Sequence, residues 1–160
     1  MTDPKSLYTT DFLAWSQQQA AALRAARRTG SNREIDWENV AEEIEDLGKS
    51  QRSALGSHLM RIVQHLAKLE HSAAAEPRNG WRRTIRLARL QAQRRLADNP
   101  SLRAELAELL EAETARGVEL AIIDLEEHAE IDEVGAQVVR RARYPVEQVL
   151  GDWLPDEPHG

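Results

Sequence analysis

Between Arg78 and Arg95 the sequence places Arg78, Arg82, Arg83, Arg86, Arg89, Arg94 and Arg95, with no acidic residue among them. On a helix, Arg78, Arg82, Arg86 and Arg89 fall on one stripe beside Trp81. Guanidinium groups so spaced can grip phosphates or carboxylates. Further along, Glu113 interrupts the apolar series Leu102, Leu106, Leu109 and Leu120. A carboxylate on an apolar face is costly unless a cation meets it. Counting equal lengths back from the break at Asn99 sets Glu113 opposite Arg86. The same count across the preceding break sets His65 near Arg86. The expected arrangement is a partly buried cluster of His65, Arg86 and Glu113, with Arg82 or Arg89 in reach. It reads first as internal neutralisation. The functional alternative is a small-anion pocket in which the remaining arginine donors are free.

Two other groups of polar residues carry less. Glu38, Glu42, Glu43, Glu45 and Asp46 follow Asp36, but most project away from the apolar stripe of their helix. They read as a solvated face that complements the helix dipole. The di-iron pattern of helical bundles pairs a Glu with a His three residues on, and that spacing does not occur, so no metal is expected. His58 and His65 lie seven residues apart, about 10 Å along a helix, too far to share one ion. The sequence contains no cysteine, which excludes disulfides, thiolate nucleophiles and cysteine-held metals. Gly-rich phosphate loops, serine nucleophile elbows and the His-Glu-x-x-His zinc motif are likewise missing, and no cofactor is expected.

The elements that must position these residues are helical. The chain has 160 residues, 41% hydrophobic and 30% charged, with aromatics at only 4%. Ala, Leu, Glu and Arg, all strong helix formers, are abundant. The length suits a single helical domain over residues 1–160, with loose termini at 1–7 and 156–160. A first helix is predicted from Thr9 or Thr10 to Arg28, closed by a turn at Thr29-Gly30-Ser31-Asn32. A second is predicted from an Asp36 cap to His71. Val40, Ile44, Leu47, Leu55, Leu59, Ile62, Leu66 and Leu69 form its stripe, and Gly48 and Gly56 mark a bend or a close crossing. The third runs from Asn79 to Asp98. Asn99-Pro100 stops it and starts a fourth, through Glu127. A short helix is preferred to a strand over 128–144. Tyr144-Pro145 opens a last short helix through Leu150, after which Trp153 and Leu154 dock. The fold class is therefore all-α: an antiparallel bundle of four main helices with short C-terminal helices.

Formal net charge is −6 and the pI about 5.4, so the overall field does not favour nucleic acid. The N-terminus has no apolar run after Lys5, and no stretch approaches a membrane span. A cytoplasmic protein with no membrane partner is expected.

Several segments carry a resemblance. They are Tyr8-x-x-Asp11-Phe12-x-x-Trp15, then Asp36-Trp37-Glu38-Asn39-Val40-x-Glu42-Glu43-Ile44-Glu45-Asp46-Leu47-Gly48-Lys49-Ser50, then His65-Leu66-x-Lys68. Trp81-x-x-Thr84-Ile85, Asn99-Pro100-Ser101-Leu102 and Tyr144-Pro145-x-x-Gln148-x-Leu150 follow. In this order, across about residues 8–154, they resemble domain of unknown function family 29. The resemblance implies a bacterial, α-helical protein and no particular activity. Residues 128–143 depart from the family's pattern, which more often has a short Pro- and acid-containing loop there.

Three functions fit these features. The leading one is a non-enzymatic helical interaction protein that acts through a bundle face on a protein partner, or on a second copy as a homodimer. The alternative is an anion or nucleic-acid binder using the arginine stripe. Gln91 and Gln93 could read bases, although no basic surplus elsewhere extends the footprint. The third is an enzyme using His65 and Glu113 as an acid–base pair.

Overall fold

The computed structural model describes residues 3–30 and 35–157. Its elements are α1 (Pro4–Thr10), α2 (Phe12–Arg28), α3 (Trp37–His71), α4 (Arg78–Asp98), a 3-10 segment (Pro100–Glu105), α5 (Leu106–Glu127), α6 (Glu133–Arg140) and α7 (Val146–Leu150). Among the described residues there is no strand, and the fold class is all-α. No helix among them is long and apolar enough to cross a membrane. Ser31 and Asn32 of the expected turn, and residues 1–2 and 158–160 of the expected loose ends, lie outside the described residues.

The chain forms two compact units, Met1–Ala54 with Arg94–Ala104, and Leu55–Gln93 with Glu105–Gly160. In the first, the expected loose arm is helical from Pro4. Asp3 caps α1, its side chain accepting from the Lys5 amide, and Pro4 occupies the first turn, where a missing N–H costs nothing. Asp11 divides what reads as one helix into α1 and α2. Its backbone is extended (φ −157°), and its carboxylate accepts from the Ala14 amide of α2 and from the Ser101 amide and hydroxyl. Asn99 accepts from the Leu13 amide and donates to the Arg95 carbonyl. Gly30 follows α2 at φ +69°, the left-handed conformation in which glycine closes helices. The expected stripe of α3 is offset here. Ala41 and Gly48 are buried, whereas Val40 and Leu47 are 40% and 54% exposed. Gly48 is the close crossing: a Cβ there would meet the Ser16 hydroxyl of α2.

In the second unit, Leu55, Leu59, Ile62, Val63, Leu66 and Leu69 of α3 are buried, as are Ile85, Ala88 and Ala92 of α4 and Leu109, Leu110, Val118, Ala121, Ile122 and Leu125 of α5. Helix α5 lies directly on α3 and runs in the same direction. Glu113 faces Gly56, Gly117 faces Met60 and Val63, and Asp124 takes bonds from Gln64 and Lys68. Helix α4 starts beside the end of α3, where Arg78 donates to the Leu69 and Ser72 carbonyls. The expected short helix over 128–144 is α6, capped by Asp132 through the Gly135 amide, and the last short helix is α7.

Candidate functional site

The arginines of α4 have sharply different fates, set by helical phase. Positions 78, 85, 89 and 92 share the inward face, so Arg78 and Arg89 are buried beside Ile85 and Ala92. A buried guanidinium must find acceptors, and helix C-termini offer unpaired carbonyls. Arg78 closes α3 in this way. Arg89 closes α7 and the segment after it: its Nε donates to the Val149 carbonyl at 2.9 Å, and its Nη2 to the Gln148 and Trp153 carbonyls at 2.7 and 2.6 Å. Burial draws the Arg89 pKa below the ordinary guanidinium value, against the opposing pull of Asp152. Gln93, one turn on, donates to the Leu150 carbonyl at 3.1 Å. Together these bonds hold the chain after α7 against α4.

The next phase of the helix faces outward. Arg82 is half-buried, donates to Asn79 Oδ1 at 3.3 Å and pairs with the carboxylate of Glu157. The hydrogen bond from Arg82 holds the Glu157 carboxyl below the usual carboxylate range. Arg83 and Arg86 are exposed, and among the described residues neither side chain has a hydrogen bond or an ion pair. Arg82, Arg86 and Arg89 line a cleft of about 380 Å³ with Leu90 and Gln93, and its far wall is Asp152 and Leu154. A second hollow, of about 520 Å³, lies on the other side of Arg82 and Arg86 and is bounded by Arg83, Leu87 and Leu90. Both have the size of small-ligand sites.

The expected trio is not brought together. Glu113 is buried at 8% exposure, but its carboxylate faces Gly56 and pairs with Arg116 Nη1 at 2.9 Å rather than with Arg86. His65 lies nine positions beyond Gly56 on α3, about 13 Å along the helix. His65 places its Nδ1 2.9 Å from the Arg61 carbonyl, and burial lowers its pKa. The count that opposed Arg86 to Glu113 matches distance from the turn and ignores side-chain direction. Arg86 lies on the outward phase of α4 and is exposed, whereas Glu113 is buried on α5 against Gly56. Of the named residues, the structure thus gathers Arg82, Arg86 and Arg89 at one cleft and leaves His65 and Glu113 apart.

A further polar group, not anticipated from the sequence, sits near the end of α3. Asp124 accepts from Lys68 Nζ and Gln64 Nε2, both at 2.9 Å, and Lys68 also lies 4.7 Å above the Trp81 ring. Burial acts to raise the Asp124 pKa, but the bonds from Lys68 and Gln64 outweigh it and hold it low. Tyr144, buried, donates to Glu70, and its pKa is pushed well up by burial and by that carboxylate. The signal for Lys68 was its place one residue before the buried Leu69. Its partner lies 56 residues away, and no local pattern names it.

A family model described as Domain of unknown function DUF29 matches residues 7–154. Among solved structures, the chain is similar to an α-helical protein of unknown function from Rhodospirillum rubrum. The two are 25% identical, with 89% of this chain and 88% of that chain covered and a TM-score of 0.69. None of the curated proteins matches it.

Proposed function

The chain belongs to this family, whose description assigns no activity, and from that premise we propose that it is a non-enzymatic binding protein that holds an anionic group against the outer face of α4. One observation carries the reading. Arg86 is an exposed arginine with no side-chain partner among the described residues, placed between two hollows that Arg82 also lines. Most arginines of this helix are spent on internal acceptors; among the described residues, the Arg83 and Arg86 side chains keep their full set of donors. A guanidinium fork presents paired N–H groups to a carboxylate or a phosphate. With formal net charge −6, attraction of anions must be local to this face rather than a property of the whole molecule. An acid–base reaction finds no support in His65 and Glu113, which are separated by more than two turns of α3.

The test is to follow arginine side-chain Nε–Hε resonances by NMR while titrating pyrophosphate, a short RNA and an acidic peptide, each at about 50 and 200 mM salt. Saturable shifts at Arg82, Arg83 and Arg86 that weaken with salt are expected, with loss of binding in Arg86→Ala. No response to any of the three anions at either salt concentration overturns the reading.

A further inference from the structure

Resting on that anion reading, we infer that the group held on α4 belongs to an acidic, leucine-bearing segment of a partner protein. The chain's own residues 148–157 supply the first argument. They lie on α4 by a definite chemistry: Arg89 and Gln93 take backbone carbonyls, Arg82 takes the Glu157 carboxylate, and Leu154 faces Leu90 across the cleft. Helix α4 therefore already receives one peptide segment of its own chain, through Arg89 and Gln93 on backbone carbonyls and Arg82 on the Glu157 carboxylate, beside a cleft that Leu90 and Leu154 both line.

The second argument is what remains uncovered beside it. Arg83, Arg86, Leu87 and Leu90 surround the hollow of about 520 Å³. The two leucines are 51% and 58% exposed. Positions 83, 86 or 87, and 90 recur at helical spacing, so two arginines followed by two leucines share about 10 Å of surface. Among the described residues, no acidic side chain lines this hollow. A phosphate or a nucleic-acid backbone would use the arginines but gain nothing from aliphatic side chains, and the bases would want aromatic surfaces. A peptide with carboxylates and leucines three or four residues apart satisfies both: the charges meet Arg83 and Arg86, and the leucines cover Leu87 and Leu90. The net negative charge of the rest of the chain also disfavours docking of an acidic segment elsewhere.

The experiment uses the full chain and four probes: a fluorescein-labelled 16-residue peptide of Glu with Leu at three- and four-residue spacing, its counterpart with Lys for Glu, a 12-nucleotide RNA and pyrophosphate. Fluorescence anisotropy should show saturable binding of the acidic peptide and none of the basic one. Arg83→Glu/Arg86→Glu and Leu87→Ser/Leu90→Ser should each weaken it by at least about tenfold. All four positions are exposed, and unchanged circular dichroism and thermal midpoints would show that the variants fold. Binding of RNA or pyrophosphate with no response to the acidic peptide overturns this inference and leaves the anion reading standing. Peptide binding that is indifferent to Leu87→Ser/Leu90→Ser overturns it too, because charge alone would then suffice. Failure of every probe removes both.

Discussion

Gly117 of α5 lies so close to Met60 of α3 that a Cβ built on the glycine would stand 2.7 Å from the Met60 carbonyl oxygen and 3.0 Å from the Val63 side chain. The atom in the way is backbone, which cannot rotate aside. Alanine is the better helix former by up to about 1 kcal/mol, so a helix taken alone would gain from the change. Within this crossing the clash prevails. Gly117→Ala should lower unfolding stability by about 1–3 kcal/mol, read from urea melts. Gly80, with nothing within 4 Å of its added Cβ, is the matched control: Gly80→Ala should be neutral or stabilising.

Arg89 bonds three carbonyls from residues 148, 149 and 153. Hydrogen bonds from a charged donor contribute about 1.5–3 kcal/mol each, and they are not additive. Removing the donor also allows the segment to leave α4 and solvate its carbonyls, which limits the loss. Arg89→Ala should therefore destabilise the protein by about 2–4 kcal/mol. It should also open residues 151–157 to limited proteolysis, seen as a clipped species by mass spectrometry. Arg89→Lys should restore little, since a point ammonium cannot reproduce the fork.

His65 gives a pH signature with a definite sign. Burial lowers its pKa from the ordinary 6.5, so the unfolded chain takes a proton before the folded one does. Over the window from about 6.5 down to the depressed folded value, the unfolded state binds more protons and stability falls as pH falls. His65→Asn should flatten the stability profile in that window. The held-down Asp124 carboxylate also loses stability toward acid, but over the lower window beneath the ordinary carboxylate range. That lower limb should remain in His65→Asn and diminish in Asp124→Asn. Denaturant melts at closely spaced pH values separate the two. Identical slopes for wild type and His65→Asn between pH 5 and 6.5 would contradict the assignment.

The helices were legible where the chain signals its own ends. Asp36 before Trp37, Asn99-Pro100 and Tyr144-Pro145 mark the boundaries of α3, α4 and α7 within a residue or two. These are local devices: a side chain that caps, or a proline that cannot continue a helix. The split at Asp11 was hidden because its carboxylate is also claimed by Ser101, 90 residues on. The site failed in a different way. Arginine composition pointed to α4, but composition cannot say which guanidinium is spent. That depends on helical phase against acceptors far along the chain, and Arg89 illustrates it with Val149 and Trp153. The opposition of Arg86 to Glu113 needed both side chains to face one interface, and Arg86 lies on the exposed phase of α4.

The contact between Arg82 and Glu157 yields the last prediction. Glu157 is fully solvated on its outer side, and an exposed ion pair adds little to folding. It does occupy a guanidinium that borders both hollows of α4. If an acidic segment binds there, Glu157 competes with it from within the same chain at high effective concentration. Glu157→Ala should then leave the thermal midpoint unchanged and tighten the labelled acidic peptide by a few-fold. Arg82→Ala in the same assay should weaken the peptide, and the double variant should match Arg82→Ala, because removing the competitor is without effect once the contested group is gone. A Glu157→Ala protein that binds the peptide no better than wild type, while Arg82→Ala binds it worse, would mean that the partner meets Arg82 from a side Glu157 does not block.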